Sequence, residues 1–238
     1  MYISHKYRFI FLRTPKTASS SLMDFFVNNI DDPSAVYGPI EDTKDNGNLP
    51  EEVYKKYQQN YKIYHLTLQE LLDSGVINTE QLNSYYNFAI LRDPVDRQKS
   101  FYYFFRKWRG RKGPGTLQEY NAFVNQEGWF DGEPNSAIKQ TDFLTLHGIM
   151  KGDYWLYENL DNQLTEFMNK LNIDITHPLK TFKGDFRSNR DAEFKFDKPT
   201  VETMATYFRD DFNLYSQLKV KRYEQTYSQS VEGFYSSH

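Results

Sequence analysis

The first apolar run, Arg8-Phe9-Ile10-Phe11-Leu12-Arg13, is short and continuous, the pattern of a strand buried on both faces. Helical spacing takes over after it: Leu22, Met23, Phe25 and Phe26 predict a helix over 22–30, stopped by Asp31-Asp32-Pro33. A second run, Tyr86-Asn87-Phe88-Ala89-Ile90-Leu91, predicts another buried parallel strand, ended by Arg92-Asp93-Pro94. Phe101, Phe104, Phe105 and Trp108 then recur at the i, i+3, i+4, i+7 spacing of a buried helical stripe, on a helix that Pro94 can open. Trp155-Leu156-Tyr157 predicts a third strand, and Leu160, Leu164, Phe167, Met168 and Leu171 an amphipathic helix over 160–171. Strands alternating with helices predict an α/β fold whose central, mainly parallel sheet is flanked by helices.

The segments between are expected to be less regular. Gly38, Pro39, Asp45-Asn46-Gly47-Asn48 and Pro50 make 31–50 a loop, and the stretch from about 31 to 60 a flap. Glu51 to Tyr57 reads as a polar helix, Tyr61 to His65 as a short strand, and Thr67 as the cap of a helix over 68–74, with another over 79–85. Residues 109–116 form a basic, glycine-rich loop, 117–126 a further helix, 128–136 a turn-rich loop, 137–146 a mixed segment, and 175–198 an irregular basic stretch. Val201, Met204, Tyr207, Phe208, Phe212, Leu214 and Leu218 predict one last helix over 200–219, followed by a polar tail over about 222–238. The expected organisation is a single domain over 1–238, without repeats.

Composition narrows the function. A net charge of −3 lacks the bulk basic signal of a nucleic-acid binder, so any basic site is local. There is no cysteine, which excludes disulfides, zinc–thiolate sites and a cysteine nucleophile. No segment has the length of a secretory h-region or a membrane span, so a cytoplasmic location without membrane attachment is the expectation.

The first strand feeds Thr14-Pro15-Lys16-Thr17-Ala18-Ser19-Ser20-Ser21. A strand, a small polar loop and a helix make an anion cradle, because N–H groups and the helix dipole meet the ligand at the helix N-terminus. Lys16 adds a full charge, and Thr17, Ser19 and Ser20 add hydroxyl donors. Ordinary N-capping by Ser and Thr explains the same residues. Neither the Walker pattern nor the dinucleotide fingerprint is present, since the loop has no glycine.

A second constellation follows the second strand. Arg92 stands at its end and Ser100 eight residues on, where a planar guanidinium and a hydroxyl can converge on one anion. Between 92 and 112, Arg92, Arg97, Lys99, Arg106, Lys107, Arg109, Arg111 and Lys112 face only Asp93 and Asp96. That is either a local positive field or a solvated helix face.

Thr14 to Ser20 after a strand resembles the 5′-phosphosulfate loop of sulfotransferases that use 3′-phosphoadenosine-5′-phosphosulfate (PAPS), and Phe88 to Tyr102 resembles their 3′-phosphate motif. The likeness is closer to the carbohydrate-type branch than to the phenol and steroid branch. It implies a P-loop-like sulfotransferase fold and PAPS as donor. Pro15, Lys16, Thr17, Ala18, Ser19 and Ser20 would then hold its 5′ end, and Arg92 and Ser100 its 3′-phosphate. Similar late segments in the family contact the nucleotide, which suggests Arg187. Ala18 stands where the family often has glycine; alanine can take helical angles there, so the cradle is expected to survive.

Sulfuryl transfer needs a cation at the leaving phosphate, a base for the acceptor proton and a rigidly held nucleotide. Lys16 suits the first role. His65, in a His-Leu-Thr context like that of the family branch, suits the second, with Glu51 or Glu52 as rivals. His5, His147 and His177 read as structural or surface residues. The expected acceptor is a hydroxyl, on a saccharide rather than a phenol, bound between the flap and the 106–116 loop. No metal is required, and no ligand spacing suggests one. Two other classes fit parts of the pattern: a nucleotide-dependent phosphotransferase, and a non-catalytic module that holds a sulfated or phosphorylated polymer on residues 106–112.

Overall fold

The computed structural model describes residues 1–39, 47–58, 63–108, 118, 121, 138–180 and 195–236, with side chains at 105–108 and 223–236 left aside. Its elements are β1 (Tyr2–Ser4), β2 (Phe9–Leu12), α1 (Ser19–Asn29), α2 (Glu51–Tyr57), α3 (Leu68–Asp73), α4 (Thr79–Ser84), β3 (Tyr86–Leu91), α5 (Pro94–Trp108), β4 (Thr145–Leu146), β5 (Ile149–Met150), β6 (Asp153–Leu156), α6 (Leu160–Lys170), α7 (Lys198–Tyr207) and α8 (Arg209–Ser236). The main sheet has the order β1-β2-β3-β6, parallel from β2 to β6 with β1 antiparallel at the edge. This is the α/β architecture expected of alternating strands and helices.

Strand alternation sorts the side chains into two cores. Phe9, Phe11, Phe88, Ile90 and Trp155 face α1 and α6, where they meet Phe25, Phe26 and Phe167. The rings interlock: Phe88 stacks on Trp155 at 4.2 Å, and Phe167 meets Phe9 edge-on at 5.1 Å. Ile10, Leu12, Ala89, Leu91, Tyr154 and Leu156 face an aliphatic layer from α2, α3, α4 and the segment 143–146. A third cluster, Phe101 and Tyr102 with Met204 and Phe208, fastens α5 to the α7–α8 junction.

Several elements differ from the sequence reading. The polar-looking N-terminus contributes β1, whose Tyr2 and Ile3 are buried against β2. Residues 63–65 are turn-like rather than strand. The predicted last helix is two, broken at Phe208, and the second continues through the expected tail to Ser236. A small hairpin, β4–β5, turns at His147-Gly148, both with positive φ. Residues 40–46, 59 and 60 of the flap and most of the 109–137 segment lie outside the described residues; of the expected helix over 117–126 only 118 and 121 are described, both helical.

Because β2, β3 and β6 are parallel, the chain leaves all three at one edge of the sheet. That edge receives the loop from Arg13 to Ala18, Arg92-Asp93, and Tyr157. In open parallel sheets the crevice outside the carboxyl ends of the strands is where ligands bind. Among the described residues no helix is long and apolar enough to cross a membrane.

Candidate active site

The loop after β2 holds its shape through buried hydroxyls. Thr14 Oγ1 donates to the carbonyl of Ile90 at 2.7 Å and sits 2.6 Å from Thr17 Oγ1, which donates to Thr14 O at 2.9 Å. Both threonines are fully buried. The Thr17 hydroxyl is thus part of the scaffold and does not face a ligand. Arg13, left without a role by its sequence context, is a strut: its guanidinium donates to Pro39 O at 3.1 Å and to Ser20 Oγ at 3.3 Å, and lies over the Tyr64 ring.

Two non-glycine residues in the loop are left-handed, Lys16 at φ 64° and Ala18 at φ 61°. Ala18 is therefore not helical, as expected, but takes the conformation that suits the glycine found in related loops; each such residue costs about 1–2 kcal/mol. The loop carbonyls point inward: Arg97 Nε donates to Pro15 O at 3.2 Å, and an Arg92 Nη donates to Lys16 O at 2.9 Å. In a planar trans peptide the N–H points opposite its carbonyl, so the Thr17 N–H is directed away from Arg92. The N–H groups of Ala18 and Ser19 have no hydrogen-bond partner among the described residues, while Thr17 closes the turn over Pro15 and Lys16. Helix α1 begins on Ala18 as N-cap, with no side chain capping it and no acidic residue in its first turn. N-capping by the loop hydroxyls, the alternative explanation of these residues, is not what the structure contains. Successive inward-curling N–H groups at a helix N-terminus form a concavity for an anion.

Arg92 reaches this loop from the end of β3. Besides Lys16 O, its guanidinium contacts Asp96 through Nε at 2.6 Å and through an Nη, and lies 4.2 Å from the Tyr157 ring centroid. It is only 4% exposed. Asp96, Ser100 and Phe104 follow each other at i, i+4 spacing on α5 and share one face. Arg92 lies at the Asp96 end of this face, and the Lys16 ammonium 4.2 Å from the Phe104 ring. Ser100, half-buried between them, has a hydroxyl with no partner among the described residues. The positive-field alternative for 92–112 is weakened, because Arg97 is buried against backbone carbonyls and Arg92 is paired with Asp96; the 106–112 cluster lies outside the described side chains.

His65 approaches from the segment before α3. Its Nδ1 donates to Arg13 O at 2.6 Å, which in the neutral ring leaves the lone pair on Nε2. Arg13 thus joins the candidate base to the cradle through consecutive residues. Of the rivals, Glu51 is exposed and pairs with Lys55 at 3.1 Å. His5 bridges Tyr85 and Tyr37, and His147 and His177 are exposed. Arg187 lies outside the described residues. Among the described residues no group of acidic or histidine side chains could hold a metal ion.

Tyr157, Phe104 and Asp96 were not singled out by sequence. Tyr157 was read as the end of the third strand; the strand stops at Leu156, which leaves Tyr157 just past it. Phe104 carried the spacing of a core residue and is only half-buried.

An uncapped helix N-terminus joined to Arg92 and, through Arg13, to His65 lies at the carboxyl edge of a parallel α/β sheet, an arrangement suited to an anion. The Sulfotransferase family model matches residues 1–223, and the chain belongs to that family. It is a transferase of sulfuryl groups. Comparison with curated proteins and with solved structures gives no match.

Proposed function

We propose that the protein transfers a sulfuryl group from PAPS to an acceptor hydroxyl, on a saccharide in preference to a phenol, and that residues 1–238 act as one P-loop-like sulfotransferase domain located in the cytoplasm. The observation that carries the donor assignment is the hydrogen bond from Arg92 to Lys16 O, 2.9 Å long across 76 residues of sequence, which joins the two motifs into one site. The residues present fit such a donor. The open N–H groups of Ala18 and Ser19, with Pro15, Lys16, Thr17 and Ser20 completing the loop, suit a 5′-phosphosulfate. Arg92 and the unpartnered Ser100 hydroxyl suit a 3′-phosphate one α5 face away. Arg187 is a further candidate contact. The segment before it supports this: Asn29 binds the backbone of Thr176 and His177, and Lys180 pairs with Asp24, so the chain runs along α1 toward the cradle.

When bound, the donor supplies an activated sulfuryl group on a phosphate leaving group. Lys16 offsets the charge that grows on that phosphate. The bond from His65 Nδ1 to Arg13 O orients the ring so that Nε2 takes the acceptor proton. No metal enters this chemistry. The phosphotransferase reading has no acidic cluster to hold magnesium among the described residues. The polymer-binding reading rests on residues 106–112.

Labelled PAPS offered with a panel of saccharides and phenols tests the proposal. Label is expected on a saccharide, and His65→Ala is expected to remove transfer while leaving nucleotide binding intact. Label on phenols alone refutes the acceptor class, and undiminished transfer by His65→Ala refutes the base. Magnesium-dependent ATP turnover would favour the phosphotransferase instead.

A further inference from the structure

The arm that carries Arg92 is held in place from outside the two motifs. Gln140 is completely buried, and its amide closes on the main chain of Arg92 from both ends. The Arg92 N–H donates to Gln140 Oε1 at 2.9 Å, and Gln140 Nε2 donates to Arg92 O at 2.9 Å. The β3–β6 ladder ends at Leu91 and Leu156. One residue later, a side-chain amide takes the place of the missing strand.

Gln140 is itself held at both backbone groups. Its N–H donates to Asp211 Oδ2 of α8 at 2.8 Å, and its carbonyl accepts from the Tyr154 hydroxyl at 2.6 Å. The other Asp211 oxygen accepts from the N–H and hydroxyl of Thr141, at 2.9 and 2.8 Å, and the carboxylate is fully buried. Two residues upstream, Ile138 O accepts from Arg97, the same guanidinium that donates to Pro15 O in the cradle. Residues 138–141 therefore form a bracket between α8, the end of β3, α5 and the loop after β2. A bracket needed only for stability could attach anywhere along these elements. This one attaches at Arg92 and, through Arg97, reaches Pro15, the first residue of one anion arm and an early residue of the other.

We infer that Gln140 is a positioning residue for donor binding: with Asp211 behind it, it fixes the backbone of Arg92 and so the origin from which the guanidinium meets the nucleotide. The inference rests on the donor reading above. The amide is the right group because it offers one acceptor and one donor to a peptide that presents one of each. A protonated carboxylic acid does the same; a carboxylate does not, because it sets a negative oxygen against the Arg92 carbonyl.

That difference supplies the test. Binding of adenosine 3′,5′-bisphosphate is measured by calorimetry between about pH 6 and pH 8 for the native protein, Gln140→Met and Gln140→Glu. Loss of two neutral hydrogen bonds predicts about tenfold weaker binding by Gln140→Met at every pH. Gln140→Glu is expected to bind as weakly at the alkaline end and to recover toward native affinity as the pH falls, burial raising the pKa of the new carboxyl. The ionisable groups that face this position are Arg92, Arg97 of α5, Tyr154 of β6 and Asp211 of α8. Burial holds Tyr154 well above its ordinary pKa, so it stays neutral throughout, and the native protein at each pH accounts for the rest. Should Gln140→Met fail to fold, the profile of Gln140→Glu decides alone. Native affinity in a folded Gln140→Met protein, or a Gln140→Glu profile parallel to the native one, overturns the inference and leaves the donor reading intact. A native protein that does not bind the nucleotide overturns both.

Discussion

Helices α1 and α3 start in similar sequence, a small hydroxyl residue before an apolar run, and finish their first turns in opposite ways. At α3, Thr67 accepts from the Glu70 N–H and the Glu70 carboxylate accepts from the Thr67 N–H, a closed capping box; Asn78 and Gln81 build the same box at α4. At α1 the hydroxyls of Thr14 and Thr17 are turned into the interior, the N-cap is Ala18, and no side chain caps the first turn. The capped helices are complete without a ligand. The uncapped one begins in two left-handed residues, a cost that stability alone would not retain. Helices α2 and α6 also start without a side-chain cap, but each carries an acidic residue in its first turn; α1 has neither, and its start suits an anion.

The comparison can be broken at either end. Lys16→Ala removes the cation that lies over the Phe104 ring; a loss of about 10²–10³ in kcat is expected with little change in melting temperature, read by initial rates and thermal unfolding. Arg92→Ala should abolish nucleotide binding and also lower stability by about 1–3 kcal/mol, because Asp96 and Lys16 O lose their partner. Ala18→Asp installs a cap where none exists, in a backbone conformation that Asp tolerates. Nucleotide affinity should fall by at least about tenfold, while the unliganded protein melts no lower. Thr67→Ala is the control in the other helix: about 1 kcal/mol less stability by denaturant unfolding, with nucleotide affinity unchanged. A loss of affinity on Thr67→Ala as large as on Ala18→Asp would erase the distinction between the two helix starts.

The apolar runs made the sheet legible. Phe9 to Leu12, Phe88 to Leu91 and Tyr154 to Leu156 are buried on both faces, and continuous hydrophobicity is the signature of that burial. β1 was illegible because its three residues, Tyr2 to Ser4, followed by His5 and Lys6, carry no period, and its strand character comes from pairing with β2. The break at Phe208 was hidden because the apolar spacing continues across it. In the site, Lys16, Arg92, Ser100 and His65 could be found from motif and spacing, which are local. Gln140 and Asp211 could not. Their significance is a set of hydrogen bonds that span 48 residues from Gln140 to Arg92 and 71 from Asp211 to Gln140, and no local pattern encodes a partner that far away. Ala18 shows a further limit: sequence reveals that a residue stands where glycine is common, but only the backbone shows that it pays the left-handed strain.

The central claim is that the open start of α1 and the Arg92 arm form one nucleotide site. Calorimetric titration of the native protein and of Arg92→Ala with adenosine 3′,5′-bisphosphate tests it most directly. Saturable one-to-one binding by the native protein, lost in Arg92→Ala, is the predicted result. No binding by the native protein, or equal binding by both, would contradict it.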